Sequence, residues 1–183
     1  AIDVALQEIN DYDWVIFTSV NGVQGFFERL HRQGRDSRHL GNTKFCTIGT
    51  TTKSSLYEHG ITADFVPSDF TSEHVVRAFA DYSMHDQRIL LPRSEIADER
   101  LPNGLRSMGA YVDDIPVYRT LIPEESRGRV DHVIDSSVDV TIFASSSSVT
   151  NLMSLLGDDT SRISESCIVC IGPVTAQTAR DKG

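Results

Sequence analysis

Hydroxyl side chains gather at four places where an apolar run gives way to a turn, and the four form two pairs. Phe17-Thr18-Ser19-Val20-Asn21-Gly22-Val23 is echoed by Phe143-Ala144-Ser145-Ser146-Ser147-Ser148-Val149. After each copy comes an apolar run ending in Ile-Gly, with a Thr three positions beyond the Gly. These are Ile48-Gly49-Thr50-Thr51-Thr52 and Ile171-Gly172-Pro173-Val174-Thr175. The copies are offset by 126 residues at the Phe (143 − 17) and by 123 at the Gly (172 − 49). A turn that opens a helix offers free backbone N–H groups, hydroxyl donors and the positive end of the helix dipole. Carboxylates and phosphates suit such places. The candidate ligand-binding residues are therefore Ser19, Asn21, Thr52, Ser145, Ser147 and Thr175. Ser19, Thr52, Ser147 and Thr175 could equally serve only as helix N-caps, each worth about 1 kcal/mol. Both readings stand at this point.

Two further residues could do chemistry. Tyr118 follows Pro116-Val117 where the chain is expected to cross between lobes, and its phenol could reach a site or simply pack at a hinge. Arg93 comes directly after the apolar run Ile89 to Pro92, where it could meet a substrate carboxylate or an acidic neighbour at the surface. Cys167 and Cys170 have a CxxC spacing, yet on a strand residues i and i+3 point to opposite faces. Core packing is the expected role for both, and for Cys46. The histidines at 31, 39, 59, 74, 85 and 132 are scattered among polar neighbours and read as surface residues. The carboxylate pairs Asp113-Asp114 and Asp158-Asp159 read as solvated loop residues. Glycine-rich nucleotide loops, a nucleophile elbow and a metalloprotease helix have no match in the chain. No metal or cofactor is expected.

The elements that must carry these residues alternate in type. Trp14 to Phe17 reads as a buried parallel strand. Ser19 is a plausible N-cap, and Val23, Phe26, Phe27 and Leu30 recur at helical spacing until Gly34. Residues 35–43 read as an exposed loop, and Phe45 to Ile48 as a strand. A short helix carrying Leu56 then runs to Gly60. Phe65 to Pro67 reads as a strand, Ser72 to Tyr82 as a helix, Arg88 to Pro92 as a strand, Asp98 to Met108 as a helix, and Tyr111 to Thr120 as extended. Beyond the polar stretch Glu124 to Arg129 come helix Val130 to Ile134, strand Val138 to Phe143, helix Val149 to Leu156, strand Cys167 to Ile171 and helix Val174 to Lys182.

Strands alternating with helices of this length imply βαβ units. The expected fold is α/β, with two doubly wound parallel-sheet lobes facing one another across a small-molecule cleft. The first lobe spans 1–117, a connector 118–121, and part of a second lobe 122–183. Two strands cannot make a stable α/β domain, so the remainder of that lobe is expected before Ala1, after Gly183, or both.

The chain has 183 residues, a hydrophobic fraction of 39% and a net charge of −9. An acidic balance argues against a nucleic-acid surface, which needs clustered Lys and Arg. No apolar run approaches the roughly 20 residues of a membrane span, and an odd cysteine count without a leader suits the cytoplasm.

Six motifs, taken in order, resemble the uroporphyrinogen-III synthase family. They are Phe-Thr-Ser-x-Asn-Gly-Val (17–23), Ile-Gly-x-x-Thr (48–52), Leu-Leu-Pro-Arg (90–93), Gly-Ala-x-Val to Val-Tyr-Arg-Thr (109–120), Phe-x-Ser-x-Ser-x-Val (143–149) and Ile-Gly-Pro-x-Thr-Ala (171–176). The resemblance implies a cofactor-free monomer that cyclises hydroxymethylbilane to uroporphyrinogen III, with loss of water and inversion of the last ring. It places Thr52, Tyr118 and Thr175 on the family's cleft-facing Thr, Tyr and Thr, and Ser19, Ser145 and Ser147 on its turn hydroxyls. Tyr118 becomes the candidate catalytic residue. Ala144-Ser145-Ser146-Ser147 departs from a family pattern of Thr or Phe followed by Ser-Pro-Ser. Two other classes fit the residues alone: a non-catalytic two-lobed binding module for an anionic metabolite, and a two-lobed nucleotide-sugar transferase.

Overall fold

Four-residue strands with every side chain buried cannot exist at a sheet surface, and Trp14–Phe17 (β1) is such a strand. It sits inside a parallel sheet with Lys44–Thr47 (β2) on one side and Arg88–Ser94 (β3) on the other, and Tyr111–Tyr118 (β4) closes the order β2-β1-β3-β4. The computed structural model describes residues 1–69, 72–135, 138–157 and 161–183. It divides into two compact units, Ala1–Thr120 and Leu121–Gly183.

In the first unit the two-residue period of the strand sends alternate side chains to opposite layers. Val15, Phe17 and Leu90 pack with Ile2–Gln7 (α1), Val20–Arg32 (α2) and Thr50–Glu58 (α3). Trp14, Ile16, Ile89 and Leu91 pack against Ser72–Ala78 (α4) and Arg100–Ser107 (α5). The sheet is thus covered on both faces, as parallel sheets require. Helix α2 buries Val23, Phe26, Phe27 and Leu30, the stripe its sequence spacing predicts.

Some expectations change. The strand expected at Phe65 to Pro67 shrinks to a single bridge between Cys46 and Phe65. Pro67 has no N–H to extend a ladder, and the Asp64 carboxylate takes the Phe45 amide at 2.7 Å. Residues 35–43 are not all exposed loop: a 3-10 turn at Ser37–Leu40 is capped by Asp36 and pinned by buried Leu40. Asp113 and Asp114 lie in β4, not in a loop, and alternation gives each its own arginine. Asp113 accepts from Tyr12 Oη at 2.6 Å and faces Arg88 at 3.5 Å, while Asp114 faces Arg93. Asp158-Asp159 falls outside the described residues.

The second unit contains Ser126–Asp135 (α6), Val140–Phe143 (β5), Ser146–Leu156 (α7), Ser161–Ser164 (α8), Cys167–Cys170 (β6) and Pro173–Asp181 (α9). Helix α6 starts inside the polar stretch Glu124 to Arg129, earlier than the helix expected from Val130. Among the described residues β5 and β6 pair only with each other, in parallel. Ile142, Ile168 and Val169 are in consequence exposed. The cysteine expectation fails here for the same reason: Cys167 is exposed and Cys170 half-buried, whereas Cys46 in the four-stranded sheet is fully buried.

Candidate active site

Parallel sheets of this kind bind ligands beyond the carboxyl ends of their strands, where the strand order reverses. In the order β2-β1-β3-β4 that point lies between β1 and β3. The β1–β3 ladder stops at Val15↔Leu90, two residues before Pro92. Beyond it the chain after β1 turns into α2, and the end of β3 shifts register against β4 between Arg93 and Ser94.

Two glycines let α2 settle onto this opening. A Cβ on Gly22 would stand 2.6 Å from the Pro92 carbonyl oxygen, and one on Gly25 would stand 3.2 Å from Val117. Residues three apart share a helix face, so one glycine face meets both β3 and β4. The approach brings Ser19, the α2 N-cap, to Tyr118 at the end of β4. Ser19 Oγ accepts from the Gly22 amide at 3.1 Å and lies 3.0 Å from Tyr118 Oη, across 99 residues of sequence. Both are half-buried. The Glu95 amide donates to the Tyr118 carbonyl at 3.1 Å, fixing the strand end. Asn21, in the first turn of α2, is exposed.

Arg93 is not the open cation the sequence suggested. Its side chain is 5% exposed and makes a bidentate pair with Asp114, with Nε 2.6 Å from Oδ1 and Nη2 on Oδ2. Nη1 donates to the Asp98 carbonyl, and Glu99 stands 3.6 Å away. The hydrogen bonds that Arg93 donates to Asp114 hold the guanidinium pKa above its ordinary value against the opposing effect of burial. Arg93 therefore ties the end of β3 to β4 and to the chain entering α5. A hollow of about 610 Å³ beside α5 is lined by Val76, Arg77, Asp98, Glu99 and Arg100, and includes neither Ser19 nor Tyr118.

The remaining turns repeat one design. Helix α3 has Gly49 as N-cap, at φ +92°, a conformation that costs glycine little and other residues much. Helix α9 has Gly172. Thr52 and Thr175 each stand three residues on, inside their helices and buried, so neither is the cap. In α7 the cap is Ser145, whose Oγ accepts from the Ser148 amide at 3.2 Å. Ser147 is exposed within the first turn, its hydroxyl 3.0 Å from Ser145 Oγ. Thr178 Oγ1 donates to Ser146 Oγ at 2.9 Å and ties α9 to α7. Sequence reasoning took Asp114 for a solvated loop carboxylate when it is the partner of Arg93, and missed why Gly22 and Gly25 are glycines. Two glycines one turn apart in an otherwise bulky helix were the available signal.

Of the histidines, His59 is half-buried and stacks on Phe27 at 4.0 Å; the other five are exposed. Burial, then neighbouring His31, lowers the His59 pKa. Among the described residues no three His, Cys, Asp or Glu side chains converge as metal ligands, and no helix is long and apolar enough to cross a membrane.

An open parallel sheet with hydroxyl-bearing turns and a phenol at its carboxyl rim defines a class of small-molecule α/β proteins. Comparison with known proteins narrows the class. The family model described as "Uroporphyrinogen-III synthase HemD" matches residues 1–183. The porphyrin biosynthesis protein HemD of Ruminiclostridium josui is 32% identical over 96% of this chain, which spans 35% of that relative's length. A putative uroporphyrinogen-III synthase of Methanothermobacter thermautotrophicus is 30% identical over 95% of the chain and 71% of the relative. A crystal structure of a mutant uroporphyrinogen III synthase from the extreme thermophile Thermus thermophilus superposes with a TM-score of 0.68 at 21% identity, covering 98% of this chain and 73% of that one. The chain belongs to the uroporphyrinogen-III synthase family.

Proposed function

We propose that the protein cyclises hydroxymethylbilane to uroporphyrinogen III, with Tyr118 as the group that assists departure of the hydroxymethyl oxygen. The observation that carries the reading is the Tyr118 phenol at the carboxyl rim of the first unit, 3.0 Å from a helix-capping hydroxyl. The substrate has eight carboxylates and the protein a net charge of −9, so attraction must be local. Amide-lined helix starts supply it, and Thr52, Thr175, Ser145 and Ser147 stand in such starts.

The chemistry asks little of side chains. The C–O bond breaks, the oxygen leaves as water with a proton from Tyr118, and an electrophilic azafulvene remains. The substituted carbon of the last pyrrole attacks it to give a spiro pyrrolenine, and the bond from that carbon to its original methylene bridge then breaks to leave a second azafulvene. The unsubstituted carbon of the now inverted ring attacks that centre and closes the macrocycle, and the hydrogen it loses as a proton restores aromaticity and the phenol. Folding the chain so that the substituted carbon, and not the nearer unsubstituted one, attacks first is catalysis by orientation.

The test uses full-length protein and hydroxymethylbilane, with the type I and type III isomers resolved chromatographically. Type III product is expected from wild type, and Tyr118→Phe should form it on the order of 100-fold more slowly. Type I alone from wild type would leave only anion binding. Unchanged turnover in Tyr118→Phe would remove the residue from the mechanism.

A further inference from the structure

We infer that Ser19 is a positioning residue that sets the direction of the Tyr118 hydroxyl proton, and that it does so because it is a helix cap. The inference rests on the reading of Tyr118 given above.

Ser19 Oγ carries one hydrogen. One of its two lone pairs is engaged by the Gly22 amide at 3.1 Å, a bond that exists whenever α2 is formed. Its hydrogen is free to be donated, and in the polarity inferred here it goes to Tyr118 Oη, the oxygen within reach at 3.0 Å. With Ser19 donating, the Tyr118 O–H must point elsewhere, where a departing hydroxyl can take its proton. With the opposite polarity the phenol would spend its proton on Ser19 and have none to give. The geometry is held from three sides. Gly22 lies against the Pro92 carbonyl and Gly25 against Val117, and the Glu95 amide fixes the Tyr118 carbonyl. Neither oxygen can drift without moving α2 or the end of β4.

Substitutions at 19 separate capping from proton direction. Thr can both cap and donate. Asp caps as well as Ser does, but its carboxylate only accepts, so it must take the Tyr118 proton. Ala does neither. In full-length protein, Ser19→Thr should turn over within about twofold of wild type. Ser19→Asp should melt at the wild-type temperature, yet lose kcat on the order of 10- to 100-fold with KM little changed. Ser19→Ala should lose kcat similarly. In a Tyr118→Phe background neither Ser19→Asp nor Ser19→Ala should lower kcat further, because the group they act through is gone.

A readout independent of turnover accompanies these. With tyrosine carrying 13C at the oxygen-bearing ring carbon, the Tyr118 resonance should move in Ser19→Asp and Ser19→Ala but stay in place in Ser19→Thr. Full activity in Ser19→Asp overturns the inference. So do losses that multiply in the double variants, or a Tyr118 resonance indifferent to residue 19. If wild type yields only type I product, the reaction fails and Ser19's role with it, while the resonance still reports whether the contact forms.

Discussion

Replacing Gly22 by alanine tests whether close approach of α2 builds the site. An added Cβ would lie 2.6 Å from the Pro92 carbonyl oxygen, where ordinary contact is roughly 3.5 Å. Helix and strand must separate by about 0.9 Å, and neither can yield easily. Pro92 is buried within β3, and α2 is anchored by four fully buried side chains, Val23, Phe26, Phe27 and Leu30. Overpacking of this kind costs about 1–3 kcal/mol. Alanine returns up to about 1 kcal/mol of helix propensity, so a net loss of about 1–2 kcal/mol is expected. The same shift stretches the 3.0 Å contact of Ser19 with Tyr118 beyond hydrogen-bond range. Urea melts measure the first effect and type III formation the second. Gly128 in α6 is the internal control: nothing lies within 4 Å of its would-be Cβ, so Gly128→Ala should be neutral or slightly stabilising. A Gly22→Ala protein as stable and as active as wild type would refute the close-approach argument.

Two further outcomes follow from buried groups. Asp114→Ala strands the Arg93 guanidinium inside the first unit. It should cost about 3 kcal/mol, the low end for a broken buried pair because Asp114 remains 18% exposed. Arg93→Met with Asp114→Leu should recover most of that in the same denaturation assay, whereas equal losses in both would show that charge burial is not the cause. Burial also pushes the Cys46 thiol up to about 12, above an unfolded value near 8.5. A raised folded pKa gives stability that is complete below the unfolded value and lost as pH rises toward the folded one. Between pH 9 and 10 wild type should therefore lose on the order of 1 kcal/mol more than Cys46→Ala, read from paired urea melts. Parallel pH profiles would contradict this.

What could be read from the sequence was local. The α2 stripe, its Ser19 cap, the buried strands at Trp14 and Ile89, and the βαβ rhythm all follow from rules that act within one or two turns. The errors came where the deciding partner lies far along the chain. Arg93 reads as an exposed cation until β4 is laid beside β3 and Asp114 arrives opposite it, 21 residues away. For Thr52 and Thr175 the capping alternative falls away because Gly49 and Gly172 begin their helices one turn earlier. Cys167 and Cys170 read as core because a strand with apolar neighbours normally has a sheet around it, and here the described sheet has two strands.

The same distinction explains how Tyr118 acquires its setting. A tyrosine at a strand end carries no instruction about its hydroxyl, and a serine before a helix instructs only that helix. Joining them requires β3 to lie between β1 and β4, Pro92 to stand beyond the end of the ladder with β1, and glycine at 22 and 25 to admit the helix. Each condition is met by a residue chosen for backbone geometry and not for reactivity. The chemistry of this rim is therefore held mostly by residues with no chemistry of their own, and substitutions at Gly22 or Pro92 should be felt at Tyr118 without touching it.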